Sequence, residues 1–299
     1  MDFIVVGAQK CATSWLYYCL RDHPEIHLPS NKREDVYLGS DLHRKYGTDW
    51  YFNQIGEPND GVRVGDISVD YLFDPRSPKA ISEEIPDTRI IASLRDPIDR
   101  AVSAYYWNLR RGYVSELDVD KGLSRAIGEW ERRGPEQSYD PNSHYFNIIA
   151  RGLYAKQLER YVDRIGTRSV YLLYYEDVKE RPKQTLRQAF RALRVDPDFE
   201  PSSLSRRPKQ NSYFRPLLRL ERRLPNNSLF GKMTDVANQV LCMLGMGREK
   251  PSLSSNLEAE LYSLYESQDT RLTELSKHLP RSNVLTPGTP TPPWIEVHA

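Results

Sequence analysis

One stretch near the N-terminus gathers groups that suit an anionic ligand: Gly7-Ala8-Gln9-Lys10-Cys11-Ala12-Thr13-Ser14-Trp15-Leu16. Small residues let backbone amides approach a phosphate or sulfate, Lys10 adds a point charge, and Thr13 and Ser14 add hydroxyl donors. A Walker A loop requires lysine directly before Ser or Thr and after a second glycine. Here Lys10 stands three residues ahead of Thr13 and position 12 is alanine. That disfavours a nucleoside triphosphatase, though not phosphate binding. A polar turn that only caps a helix is the competing reading. The second constellation is Leu94-Arg95-Asp96-Pro97-Ile98-Asp99-Arg100-Ala101-Val102-Ser103. Arg95 with its charge-assisted fork and Ser103 with its hydroxyl suit another phosphate. An ion pair of Arg95 with Asp96 or Asp99 at a capped helix is the alternative there.

The elements that must position these groups alternate along the chain. Phe3-Ile4-Val5-Val6, continuously apolar and bounded by Gly7, reads as a buried parallel strand. A helix follows over residues 13–21 and ends before His23-Pro24. Strands are expected at 62–67, 89–94 and 169–175, and helices at 78–85, 145–164 and 182–193. Asp96-Pro97 reads as an N-cap with proline at the first helical position, opening a helix to about residue 110. Strands alternating with helices imply an α/β fold: one domain, a parallel sheet flanked by helices on both faces. Both constellations fall at the carboxyl ends of strands, where such sheets bind ligands. The domain is expected over 1–279, with a basic and then apolar helical insertion at about 202–250. The Pro-rich segment 280–299 reads as an extended or mobile tail.

Composition limits the function classes. The 299 residues carry 42 Lys plus Arg against 41 Asp plus Glu, a net charge of +1, which gives no global reason to bind nucleic acid. With 39% hydrophobic and 28% charged residues the chain is neither disordered nor fibrous. No apolar run has the length of a membrane span, and Met1-Asp2 leads straight towards a strand, so no signal peptide is expected. Cys11, Cys19 and Cys242, odd in number and irregularly spaced, make neither a disulfide framework nor a metal site. A reducing, cytoplasmic compartment is the expectation.

In their order and spacing the two constellations resemble those of the sulfotransferases that use 3′-phosphoadenosine 5′-phosphosulfate (PAPS). Gln9 to Leu16 is similar to the family's 5′-phosphosulfate loop, with Ala12 where glycine is usual, and Arg95 and Ser103 match its 3′-phosphate site. Arg33-Glu34-Asp35-Val36-Tyr37-Leu38 resembles the Lys-Glu-x-His-Phe-Phe element of the heparan-sulfate-type, carbohydrate-sulfating branch, which implies that Glu34 is the catalytic base. Gly65-Asp66-Ile67-Ser68-Val69-Asp70-Tyr71-Leu72 is similar to the branch's next element, Glu-Lys-(Thr/Ser)-Pro-x-Tyr. Val36 replaces that branch's histidine and Ile67 its lysine, both substrate-side, so acceptor recognition is not carried over. Gly152-Leu153-Tyr154, Tyr175-Glu176-Asp177 and residues 265–275 are similar to weaker signatures, and the resemblance covers about residues 3–276.

The resemblance implies a P-loop-like donor loop and transfer of a sulfuryl group to a hydroxyl or amine of a carbohydrate or small hydroxylated metabolite. Lys10 would serve catalysis and donor binding, with Cys11, Ala12, Thr13, Ser14, Trp15, Arg95 and Ser103 holding the donor. Arg206, Arg207, Lys209 and Arg215 lie about where the family has a phosphate-covering loop; Lys209 is the candidate among them, and a solvated basic surface is the alternative. PAPS is the implied donor and adenosine 3′,5′-bisphosphate (PAP) the product, with no metal required. A small-molecule or glycan acceptor is the implied partner, with neither nucleic acid nor integral membrane association. A nucleotide-dependent phosphotransferase and a non-catalytic nucleotide-binding relative are the competing functions.

Overall fold

Strands β1 (Phe3–Gly7), β2 (Ile26–His27), β3 (Arg63–Ile67), β4 (Arg89–Leu94) and β5 (Val170–Tyr174) form a parallel sheet in the order β2-β3-β1-β4-β5. The computed structural model describes residues 1–30, 34–134, 139–205, 253–286 and 291–295, together with the single positions 237, 240 and 241. Successive side chains of a strand point to opposite faces, and the continuous apolar runs therefore feed two cores. Ile4, Val6, Ile90, Ala92 and Leu172 pack on one side of the sheet. Phe3, Val5, Ile91 and Leu173 pack on the other.

Helices cover both faces. The Phe3 side is closed by α1 (Thr13–Arg21), which contributes Leu16 and Leu20, and by α11 (Pro182–Leu193), which contributes Leu186 and Phe190. The Ile4 side receives α3 (Thr48–Ile55), α5 (Ser77–Glu84) and α9 (Tyr154–Ile165) through Tyr51, Ile81 and Leu158. Shorter helices α2 (Asp41–Tyr46), α4 (Asp70–Phe73) and α10 (Tyr175–Glu180) join these elements. A third core contains no strand. In it α6 (Pro97–Arg111), α7 (Val119–Arg133), α8 (His144–Ala150) and α12 (Ser255–His278) pack through Tyr105, Leu123, Ile148 and Leu261.

The elements at the sheet's carboxyl edge follow their local chemistry. Asp96 caps α6, its carboxylate accepting from the amides of Ile98 (2.8 Å) and Asp99 (3.1 Å), with Pro97 at the first helical position. Gly112, at φ 79, ends that helix in the left-handed conformation. The chain leaves β1 towards β3 and later returns on β1's other flank as β4. The loops after β1 and β4 therefore diverge at a topological switch point and open a crevice between them.

Two expectations need correction. The long helix expected over 145–164 is two helices, α8 and α9, separated at Arg151-Gly152-Leu153. The break falls at Gly152, where the Tyr265 ring of α12 packs so closely that an added Cβ would sit 2.8 Å from it. The described parts of the C-terminal segment, 280–286 and 291–295, are docked on the domain. Leu285 N–H donates to Leu172 O of β5 at 2.7 Å. Trp294, 2% exposed, packs edge-on to the rings of Tyr154 and Tyr174, and its indole N–H reaches Asp269 at 3.1 Å. Among the described residues no helix is long and apolar enough to cross a membrane.

Candidate functional site

The floor of the crevice is the loop between β1 and α1. Lys10 (φ 70) and Ala12 (φ 63) both adopt the left-handed conformation, which turns the chain sharply into the helix. Ala12 at the N-cap position makes no side-chain cap, and the first turn of α1 holds no acidic residue. The first amides of a helix have no intrahelical partner, so this terminus is suited to an anion supplied from outside. The loop is pinned to β4: Ser93 Oγ donates to Cys11 O at 2.5 Å, and Ala8 N–H donates to Ser93 O at 2.6 Å.

Cys11 and Trp15 do not line the crevice with their side chains, which are buried in the two sheet cores. Burial pushes the Cys11 thiol up to about 12, so it is protonated at neutral pH, with Sγ 3.7 Å from the Tyr154 hydroxyl. Any contact of these two residues with a ligand comes from their backbone.

Lys10, Ala12, Thr13, Ser14, Glu34, Arg95 and Ser103 line one cleft of about 640 Å³. The size suits a nucleotide with part of a second substrate. Arg95 leaves β4 with its guanidinium 4.4 Å above the Tyr175 ring and Nη2 3.2 Å from Asp99. Its buried Nε has no hydrogen-bond partner among the described residues. The ion pair anticipated from the sequence thus coexists with a place on the cleft wall. Burial opposes the charge of Arg95, but Asp99 and the neighbouring Tyr175 outweigh it, and the net shift is upward. Behind Arg95, burial pushes the Glu176 carboxyl up to about 7. Its Oε1 accepts from Asp96 N–H at 3.2 Å, while Oε2 is buried without a partner among the described residues.

Glu34 stands on the opposite wall. Val69 N–H donates to its Oε2 at 3.1 Å, and Ser68 Oγ donates to its carbonyl at 2.8 Å. The carboxylate is thereby held at the cleft while remaining exposed. Val36 and Ile67, expected on the substrate side, are instead packed in the sheet cores, where apolar side chains belong. Asp66 is buried as well, accepting from the Tyr51 hydroxyl (2.9 Å), the Tyr71 hydroxyl (2.7 Å) and Ile67 N–H (2.7 Å). Burial raises its pKa. It organises the core and does not line the cleft. Arg33, Arg206, Arg207, Lys209 and Arg215 lie outside the described residues.

The structure adds a wall that sequence reasoning missed. Trp107, Arg110 and Arg111 of α6, then Tyr113, and His144, Asn147 and Arg151 from α8 and its end complete the cleft. Tyr113 and His144 stack with ring centroids 4.3 Å apart and planes 7° from parallel, and Arg111 lies 4.5 Å above the Trp107 ring. Burial holds the His144 pKa below its usual value. A signal was present: Ser103, Trp107 and Arg111 follow each other four residues apart, one stripe of a helix face. Once Ser103 is assigned, its stripe points along the same wall.

At the switch point of a parallel α/β sheet, a loop suited to an anion, a basic wall and a carboxylate thus line one cleft. A sulfotransferase domain family model matches residues 1–206, and the chain belongs to the sulfotransferase family. It is 25% identical over 300 residues to bifunctional heparan sulfate N-deacetylase/N-sulfotransferase 4 of Mus musculus, covering 98% of this chain and 31% of that protein. With heparan sulfate glucosamine 3-O-sulfotransferase 6 of Homo sapiens it shares 27% identity over 166 residues, 53% of this chain and 42% of the relative. The chain thus spans about a third of the bifunctional relative's length. Among solved structures, a sulfotransferase from Alicyclobacillus acidocaldarius has the same fold, with a TM-score of 0.64 at 24% identity over 94% of this chain and 97% of the other.

Proposed function

We propose that this protein transfers the sulfuryl group of PAPS to a carbohydrate hydroxyl or amine, with Glu34 as general base. The observation that carries this reading is the single cleft shared by the Lys10–Ser14 loop, the Arg95–Ser103 pair and Glu34. The loop amides, Lys10, Thr13 and Ser14 hold the donor's 5′-phosphosulfate, and Arg95 and Ser103 hold its 3′-phosphate. Glu34 takes the acceptor's proton as the acceptor atom bonds to sulfur. The bond from sulfur to the 5′-phosphate oxygen breaks in line, and the electron pair leaves with PAP. Lys10 and the helix terminus stabilise the charge that builds on that oxygen. Sulfuryl transfer, like phosphoryl transfer, asks the protein mainly for positioning and electrostatics.

A carbohydrate acceptor is supported by the second wall. The Tyr113–His144 stack and Trp107 offer flat faces for the apolar side of a sugar ring, with Arg110 and Arg111 beside them for its polar groups. The relatives named for heparan sulfate N- and 3-O-sulfotransfer support the same class. The test is transfer of labelled sulfate from PAPS to a panel of glycans and of phenolic and alcoholic metabolites. Label appearing in glycans without added ATP is the expected result. Turnover only with a nucleoside triphosphate and magnesium would replace this reading with phosphotransfer, and PAPS binding without product in any acceptor would leave a binding protein.

A further inference from the structure

Arg151 contributes to the cleft but to neither the donor floor nor the aromatic rim. It sits at the end of α8, directly before the Gly152 break, and is 8% exposed. Such burial of an arginine requires partners, and among the described residues Asp70 and Phe73, both on one short helix, supply them, while Nη1 is buried without a hydrogen-bond partner there. Its Nη2 is ion-paired with Asp70 Oδ1, and its guanidinium carbon lies 4.4 Å from the centroid of the Phe73 ring. Asp70 and Phe73 open and close α4 and fall three residues apart, on one face of the helical turn.

That turn is also what holds Glu34. Val69, immediately before Asp70, donates its amide to the Glu34 carboxylate, and Ser68 donates its hydroxyl to the Glu34 carbonyl. Asp70 N–H in turn donates to Ser68 Oγ at 3.3 Å. A continuous series of contacts therefore runs from Arg151 through Asp70 to the Ser68-Val69 grip on Glu34. The two-point hold on α4, by charge at Asp70 and by the ring contact at Phe73, fixes the rotation of that turn and hence the direction of the Val69 N–H.

We propose that Arg151 is a positioning residue for sulfuryl transfer, orienting the Glu34 carboxylate towards the acceptor through the Asp70 turn without contacting either substrate; the inference rests on the reading of Glu34 as base. Lysine could keep the charge pair but not the guanidinium contact with Phe73. Graded effects are thus expected from Arg151→Lys and Arg151→Met.

The test measures kcat and both KM values for R151K, R151M and D70N, in the parent and in the E34Q background. R151M should lower kcat roughly 100-fold, the scale expected when a reacting group is misplaced by about an ångström. Both KM values and the thermal shift given by PAP should be kept. R151K should recover part of the loss, and D70N should reproduce most of it. In the E34Q background R151M should add less than about threefold, because residues acting through one another are not additive. A full additional loss in that background would overturn the proposal while leaving Glu34 as base. A raised acceptor KM at parental kcat would make Arg151 an acceptor contact instead. Loss of the PAP shift in all three variants would make it part of the scaffold. Parental turnover in E34Q itself would remove the base assignment, and this proposal with it.

Discussion

The two walls of the cleft are built by different means. The donor side, from the β1–α1 loop to Arg95 and Ser103, lies within two short segments, each at the carboxyl end of a strand. Its candidate donor-binding groups are largely backbone amides and side chains adjacent in sequence, and its frame is the buried sheet. The far side gathers Glu34, Asp70, Trp107, Arg111, Tyr113, His144 and Arg151 from four separate segments, two of them built on helices of the strandless third core. On the proposed reading the phosphosulfate, the same for every acceptor, is met by a compact, local device. On that reading the acceptor is met by the aromatic and basic side chains of the far wall, whose meeting depends on how the helices pack, and Arg151 acts only through Glu34.

This contrast is broken or sharpened by substitution on each side. Lys10→Ala should lower turnover with every acceptor by about 10²–10³-fold, since loss of a transition-state charge stabiliser does not depend on what is being sulfated. Steady-state rates with a glycan and with a phenol check this, and a loss confined to one acceptor would place Lys10 on the wrong side of the comparison.

Arg95→Ala should weaken PAP binding far more than binding of adenosine 5′-monophosphate, because only the 3′-phosphate loses its partner. Charge-assisted hydrogen bonds of about 1.5–3 kcal/mol correspond to roughly tenfold to 150-fold in affinity. Calorimetry with both ligands reads the difference. Equal losses would mean that the Asp99 ion pair is all that Arg95 does.

An effect on stability is expected at Glu176→Gln. The native Glu176 carboxyl titrates near 7, above its ordinary value of 4.5, so between those pH values the folded state holds more protons than the unfolded one. The stability that this proton retention contributes is present below about pH 4.5 and is lost as pH rises through 7. Glutamine has no such dependence. The melting temperature of E176Q relative to the parent should therefore climb between pH 5 and 8, by the equivalent of about 2–3 kcal/mol. A pH-independent difference would show that the carboxyl is not held protonated beside Arg95.

The same contrast governs what the sequence made legible. The bounds of α1, β4 and α11 could be read to the residue, and α6 to within one, because their signals are local: a cap and proline at Asp96-Pro97, a stop at His23-Pro24, short apolar runs bounded by turns. The split between α8 and α9 was missed although Gly152 stands inside the run; what the sequence hides there is Tyr265, packed on that glycine from more than a hundred residues away. Helix α7 carries its own cap at Asp118 and buried residues at Leu123, Ala126 and Ile127, yet its place in a core of other helices was not legible. At the site, Lys10, Ala12, Thr13, Ser14, Glu34, Arg95 and Ser103 share one cleft, while Cys11 and Trp15 turn their side chains into the cores. The aromatic rim and Arg151 escaped notice because no short motif contains them. Val36 and Ile67 mislead for the converse reason: their motif positions pointed to the substrate, and their apolar side chains turned into the cores.

The division between a binding floor and a proton-accepting wall is tested most directly at Glu34, by measuring PAP affinity and sulfuryl transfer on one preparation of E34Q. Glutamine preserves shape and the capacity to accept from Val69 N–H, and removes only the base. The account predicts PAP affinity equal to the parent's and a fall in kcat of about 10²–10⁴-fold with an alcohol acceptor, shrinking with a strongly acidic phenol that needs little help to lose its proton. Near-parental kcat with the alcohol, or loss of PAP binding together with activity, would contradict it.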